Sequence, residues 1–182
     1  MSIGVDPIDT ARLTLRYPQP EDRAPLLALW ADPRVMENLG PVKDAQMADA
    51  TIARHAGYRA QGLGFRAIVR KSDAATIGFC GLKPGAPGTP IAGEVEIGWM
   101  LAADAWGQGF AAEAASAMLA WGWATLDTAR IVAITAASNH ASQRLMERLG
   151  MRPLPDGAFD HPDFDRLHHL RRTVTFAIDR AA

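Results

Sequence analysis

Gly107 and Gly109 have the most readable chemical use in this sequence. They lie in Trp106-Gly107-Gln108-Gly109-Phe110-Ala111, between a strand-like run, Glu94–Ala102, and a long helical pattern, Gln108–Leu126. The start of a helix leaves backbone N–H groups unpaired and carries about half a positive charge, and glycines let a phosphate approach that backbone. A phosphorylated ligand is the expected guest. No lysine and hydroxyl follow in the P-loop pattern, which argues against a nucleoside triphosphatase. Gly107, Gly109 and Ala112 also fit G-x-G-x-x-A, with Asp127 downstream in the manner of a ribose-binding acid. That reading would make the chain a nicotinamide-dependent oxidoreductase, but three antiparallel strands are expected before the loop, where a dinucleotide site needs the first βα turn of a parallel sheet. A glycine turn that only joins two elements is a third reading.

Other residues could do acid–base work. Glu94 and Glu96 alternate with Val95, Ile97, Trp99 and Leu101, so both carboxylates can share one strand face that looks into a cleft. A solvated or salt-bridged strand carboxylate is the plainer alternative. Ser142 falls in the first turn of a helix for which Ser138-Asn139 supplies the cap. His161, His168 and His169 lie in a late segment without cysteine and with irregularly spaced acids, so no metal site is expected. Cys80, among Ile77, Phe79 and Leu82, reads as an inert core thiol.

The elements that must position these groups follow from periodicity. A strand is expected at 11–17, and a helix from Pro20 to a stop at Asp32-Pro33, with Leu26, Leu27 and Trp30 inward. A second helix spans about 44–60 with Met47, Ile52 and Ala56 inward. Strands Phe65–Arg70, Thr76–Leu82 and Glu94–Ala102 are joined by turns that imply antiparallel neighbours. After the alanine-rich helix come a strand, Arg130–Ala136, a helix with stripe Ala141, Leu145 and Leu149 closed by Gly150, a loop-like segment from Arg152 to His169, and a last strand, Arg172–Ile178. This order predicts an α+β (mixed α/β) fold: a mixed, largely antiparallel sheet with helices on both faces.

With 182 residues, 48% hydrophobic and 21% charged, the chain suits a single globular domain, 1–182. A net charge of −1, from 19 basic and 20 acidic residues, gives no global field for nucleic acid or an anionic membrane. The start, Met1-Ser2-Ile3-Gly4-Val5-Asp6-Pro7, lacks a signal-peptide pattern, and no apolar stretch is long enough to span a bilayer. A soluble, cytoplasmic protein, monomer or homodimer, is expected.

Glu96-Ile97-Gly98-Trp99-Met100-Leu101, Ala105-Trp106-Gly107-Gln108-Gly109-Phe110-Ala111-Ala112-Glu113-Ala114, Asn139-His140-Ala141-Ser142 and Leu149-Gly150-Met151, in that order, resemble the signatures of GNAT-superfamily acetyltransferases. The branch they are similar to is that of ribosomal-protein alanine N-acetyltransferases, whose opening segments Arg12-Leu13-Thr14-Leu15-Arg16 and Asp32-Pro33-Arg34-Val35-Met36 also resemble. The resemblance implies a single acetyltransferase domain with a splayed sheet, and acetyl-CoA between the Glu94–Ala102 and Arg130–Ala136 strands. It implies direct transfer in a ternary complex to a primary amine of a small molecule or a protein N-terminus; a CoA-binding module without turnover is the alternative.

The same resemblance assigns the cofactor to Trp99, Met100, Leu101, Trp106, Gly107, Gln108, Gly109, Phe110, Ala111, Asn139, Ser142 and Met146. Gly107 to Ala111 would offer N–H groups to the pyrophosphate, with Trp106 standing where the superfamily usually has Gln or Arg. Glu96 occupies the position of a base acting directly or through water, and a main-chain N–H near Trp99 or Met100 would receive the thioester oxygen. Met146 stands where many relatives place a tyrosine acid, which leaves Ser142, one turn earlier on the same helix face, as the hydroxyl nearest the departing sulfur. The late loop would line the acceptor pocket.

Overall fold

The computed structural model describes residues 6–166 and 168–181. Residues 1–5, most of the segment read as lacking a signal peptide, lie outside the described residues. The chain begins with a hairpin, β1 (Ile8–Asp9) and β2 (Leu13–Arg16). A short 3-10 turn, Pro20–Asp22, leads into α1 (Arg23–Ala31). Asp32-Pro33 both stops α1 and starts α2 (Pro33–Met36), because the Asp32 carboxylate accepts the Arg34 N–H at 2.9 Å and proline fits the first helical position.

Helix α3 (Ala45–Gly57) is capped by Asp44, which accepts the Met47 N–H at 2.8 Å. Of the expected inward stripe only Ile52 packs against the core, partly buried beside Leu26, Trp30 and Phe79, while Ala56 is exposed. Ala48, Thr51 and His55 are buried, while Met47 is 47% exposed. The apolar pattern pointed to one face, yet the interior receives a hydroxyl and an imidazole from another, so packing overrides the periodicity here.

Strands β3 (Gly64–Arg70), β4 (Thr76–Pro84) and β5 (Val95–Leu101) form an antiparallel run. Next come α4 (Phe110–Thr125), β6 (Arg130–Ala136), α5 (His140–Arg148), the two-residue strands β7 (Arg152–Pro153) and β8 (Phe159–Asp160), and β9 (Arg172–Asp179). The sheet order is β1-β2-β3-β4-β5-β6-β9-β7, with β8 also on β9. Its single parallel pair, β5 and β6, is joined by the α4 crossover. That pair is registered only at Val95↔Ile131 and Glu96↔Val132, whereas β5 stays paired with β4 as far as Leu101. Beyond Glu96, therefore, β5 and β6 part.

Helices cover both faces. On one, Ala114, Ala115 and Met118 of α4 pack on Leu13, Ile68, Leu82 and Ile97. At Gly122 a Cβ would lie 2.7 Å from Leu82 Cδ1, so any larger residue would have to displace the Leu82 side chain. On the other face, Leu26, Trp30, Met36 and Ala48 pack on Phe79 and Met100. Alternation along β5 thus sends Ile97 and Leu101 toward α4, and Glu96 and Met100 toward the α1–α3 layer. Cys80 is fully buried, and burial pushes its thiol up to about 12, in keeping with an inert core residue. No helix among the described residues is long and apolar enough to cross a membrane.

Candidate active site

The glycine loop has the backbone that its sequence requires. Gly107 and Gly109 have φ of 72° and 81°, in the left-handed region, and a Cβ on Gly107 would meet nothing within 4 Å. The first helical hydrogen bond of α4 runs from the Glu113 N–H to the Gly109 carbonyl at 3.1 Å. The N–H groups of Phe110, Ala111 and Ala112 precede it and have no helical acceptor. They border a cavity of about 380 Å³ that is also lined by Trp99, Leu101, Trp106, Asn139 and Ser142. Open space, positive φ and a row of unpaired donors suit a pyrophosphate.

Several side chains brace the loop. The Arg12 guanidinium lies 2.7 Å from Glu113 Oε2, donates to the Gln108 carbonyl at 2.9 Å and sits 4.5 Å from the centre of the Phe110 ring. The Thr10 hydroxyl and the Arg12 N–H also donate to Glu113 Oε1, at 2.6 and 2.9 Å. The β1–β2 hairpin is thereby tied to the start of α4. The Trp106 indole N–H donates to the Leu101 carbonyl at 3.0 Å, so the residue in the Gln/Arg slot braces the strand end. The Gln108 side chain turns to the Asp104 carbonyl at 2.8 Å and does not line the cavity; only its backbone remains a candidate.

At the parting of the strands, alternation decides which backbone groups are open. The Ala102 N–H donates to the Ile77 carbonyl at 2.8 Å, and the Gly85 N–H to the Glu94 carbonyl at 2.9 Å. Even-numbered residues along β5 therefore direct their backbone groups to β4, and Trp99 and Leu101 direct theirs into the gap. The Leu101 carbonyl is occupied by Trp106, while the Trp99 N–H has no strand partner. Of Trp99 and Met100, it is Trp99 whose N–H faces the cleft.

A second cavity, about 280 Å³, lies on the other side of this point. It shares Leu39, Trp99, Met100 and Ser142 with the first. Its floor holds Glu96, 6% exposed, paired through Oε2 with Lys83 directly across β4. Burial raises the Glu96 carboxyl above the ordinary glutamate range, against the opposing pull of Lys83 and His161. Among the described residues Oε1 has no hydrogen-bond partner. The salt bridge expected as the plainer alternative is thus present, and Oε1 of the same carboxylate is the atom open to the base reading. Glu94 is different: it precedes β5 and pairs with Arg130, as an inter-strand tie.

Asn139 caps α5, its Oδ1 accepting the Ser142 N–H at 3.1 Å while its Nδ2 donates to Ser142 Oγ at 3.1 Å. Ser142 Oγ thus accepts from Asn139, and its own proton has no acceptor among the described residues; the side chain lies at the junction of the two cavities. Met146, 2% exposed, lines the Glu96 cavity and not the glycine-loop one.

The late segment borders a separate cleft, where His168 and His169 stack at 4.8 Å between ring centroids beside Arg34, Met36 and Glu37. None of its described residues lines the Glu96 cavity, although His161 lies close enough to act on Glu96. Among the described residues no group of three His, Cys, Asp or Glu could hold a metal ion. Residues that the sequence did not reveal include Arg12 and Glu113 beside the loop, and Lys43, Thr51, Arg54, His55 and Lys83 around Glu96.

Residues 12–152 match the family described as the acetyltransferase (GNAT) domain. An N-acetyltransferase, p20, of Bacillus licheniformis is 33% identical over 147 residues, which is 79% of this chain and 80% of that protein. An acetyltransferase from Agrobacterium tumefaciens C58 superposes with a TM-score of 0.79 at 25% identity, covering 99% of this chain and 98% of that one. The ribosomal alpha-N-protein acetyltransferase RimL, solved with coenzyme A, has the same fold with a TM-score of 0.78 at 16% identity, covering 96% and 98%. The glycine loop follows β5, which closes the antiparallel run from β1 and is parallel only to β6, so it does not sit at the first βα turn of a parallel dinucleotide-binding sheet. Split strands, an open glycine loop and the match over residues 12–152 agree: the chain belongs to the GNAT family of acetyltransferases.

Proposed function

We propose that this enzyme transfers an acetyl group from acetyl-CoA directly to a primary amine, with both substrates bound at once. The observation that carries the reading is the meeting of two cavities at Trp99, Met100 and Ser142, with unpaired loop N–H groups along one and a buried carboxylate in the other. Acetyl-CoA supplies an activated acyl group as a thioester. The backbone from Gly107 to Ala111 holds its pyrophosphate, and Leu101, Trp106 and Asn139 flank its arm.

The Trp99 N–H donates to the thioester oxygen as negative charge develops there. Glu96, through Oε1, takes a proton from the ammonium form of the acceptor, directly or by way of water. The free amine forms the new N–C bond as the C–S bond breaks, and the excess proton then left on the nitrogen passes to the departing thiolate by way of the Ser142 hydroxyl or water, so that Ser142 ends with its own proton restored. A thiol of about cysteine-like pKa, roughly 8.5, leaves without strong acid help, which suits an apolar Met146 beside it. We read the chain as a single-domain cytoplasmic enzyme, monomer or homodimer, with no nucleic-acid or membrane partner, in line with its balanced charge.

Titration calorimetry against acetyl-CoA and NAD, followed by thiol release with an amine panel, tests the proposal. Acetyl-CoA alone should bind, and an amine should release thiol. The apolar Met146 favours a second reading, a CoA-binding module: tight binding with no thiol release from any amine or peptide would establish it.

A further inference from the structure

The acceptor-side cavity carries more positive than negative charge. Lys43, Arg54 and Lys83 line it, and Glu96 is its one carboxylate. Lys83 is engaged by Glu96. The Lys43 ammonium donates to Thr51 Oγ1 at 2.9 Å and lies 5.3 Å from the Trp30 ring centre. Among the described residues, neither Lys43 nor Arg54 has a carboxylate partner.

His55 adds a donor. Its Nδ1 accepts the Phe65 N–H at 3.3 Å. Burial, then the charges of Arg54, Lys83 and Lys43, hold the imidazole down to about 3. The ring is therefore neutral at physiological pH with its proton on Nε2, for which no acceptor is found among the described residues. None of Lys43, Arg54, His55 and Lys83 lines the glycine-loop cavity, so these charges are not placed for the phosphates of the cofactor.

Two walls thus face each other. The sheet wall offers Glu96, and the α3 wall offers an ammonium, a guanidinium and an imidazole N–H. A plain ammonium ion entering this cavity meets two unmatched cations, whereas a ligand with an acid group at one end and an amine at the other satisfies both walls. Resting on the acetyltransferase reading above, we infer that the acceptor is a small amine bearing an acidic group, a carboxylate or a phosphonate, with its amine at Glu96 and its acid at Lys43, Arg54 and His55. The cavity of about 280 Å³ suits a body of amino-acid size, and Trp30, Phe79 and Met36 make the wall beside that body apolar.

Matched pairs of amines test this on the intact enzyme. Phenylalanine against phenethylamine and methionine against 3-(methylthio)propylamine read the carboxylate; 2-aminoethylphosphonate against propylamine reads the phosphonate. Thiol release should favour the acidic member of at least one pair by tenfold or more in kcat/KM. Arg54→Met, on the exposed side of α3, and Lys43→Met should each collapse that ratio mainly through KM of the acidic member, with acetyl-CoA affinity retained as a check on folding. Equal or better use of the plain amines, or a ratio that survives both substitutions, overturns the inference and leaves the acetyltransferase reading standing. A peptide N-terminus preferred over every free acid overturns the small-molecule assignment. If no amine releases thiol, the same pairs are titrated calorimetrically in the presence of CoA: preferential binding of the acidic members still supports the inference while the turnover reading fails, and no preference overturns both.

Discussion

On the glycine-loop side of Trp99 and Met100 the candidate binding surface is mostly backbone: unpaired N–H groups, two left-handed glycines and an open strand flank. On the Glu96 side it is mostly side chains, brought in by α1, α3, β4, β5 and α5. A surface made of backbone recognises what every acetyl-CoA molecule has in common and tolerates change in the surrounding side chains. A surface made of side chains can be retuned one residue at a time. One fold can therefore keep its acyl donor fixed while its acceptor changes.

Substitutions can break this contrast at graded cost. The largest expected effect is Gly109→Val. Valine at φ 81° is strained by about 1–2 kcal/mol. Its Cβ would also lie 3.4 Å from Arg12 Nη2 and carry two methyl groups into the loop. Acetyl-CoA affinity should fall on the order of 100-fold, about 2.7 kcal/mol, in calorimetry on a variant that still unfolds cooperatively. Wild-type affinity in that variant would mean the pyrophosphate lies elsewhere.

Glu96→Gln tests the other side. Turnover should drop by about 10²-fold, the lower part of the range for general acid–base catalysis, with acetyl-CoA affinity little changed. The sign of the pH effect follows from burial: the carboxyl is raised, so the base gains its active, ionised form only as pH climbs through a midpoint above the ordinary glutamate range. The wild-type kcat/KM should rise across that midpoint, and the rise should be missing in Glu96→Gln. A pH profile shared by both proteins would remove Glu96 from the chemistry and leave it as the partner of Lys83.

The smallest effect is expected where the two sides meet. Ser142→Ala should slow turnover by about tenfold or less, below the usual 10²–10⁴ of acid–base catalysis, because a thiolate departs readily. A far larger loss would mean that the Asn139–Ser142 bond holds the start of α5 in place, and no loss would give the proton transfer to water. Met146→Tyr complements this test. A phenol placed near the sulfur should partly restore Ser142→Ala, provided the buried site takes the added volume with cofactor affinity intact.

The same contrast explains what could be read from residues alone. Gly107, Gly109 and the α4 pattern are contiguous, and the φ angles they imply are those found. The strands from β3 to β6 were legible through alternation and turns, and the strand face of Glu96 through its alternation with Val95 and Ile97. Lys43, Arg54 and His55 were not, because α3 buries Thr51 and His55 where its apolar periodicity pointed to Met47 and Ala56. A polar inward stripe cannot be told from a solvated one before the partner surface is known. The Arg12–Glu113 brace spans 101 residues of sequence, and no local pattern announces such a pair.

The parting of β5 and β6 has a consequence for aggregation. Two registered pairs join the halves of the sheet, and above them each strand presents unpaired backbone to the other. At the rim of a sheet, such an edge would template another chain. Here the two edges face each other within one sheet, and residues of α4 and α5 line the cleft beside them, so neither edge lies at the outer rim. Placement within the sheet takes the part that lysines and prolines play on outer edges. The protein can thus keep a stretch of hydrogen-bonding capacity in reserve for a slender, amide-bearing guest, without offering it to its own copies.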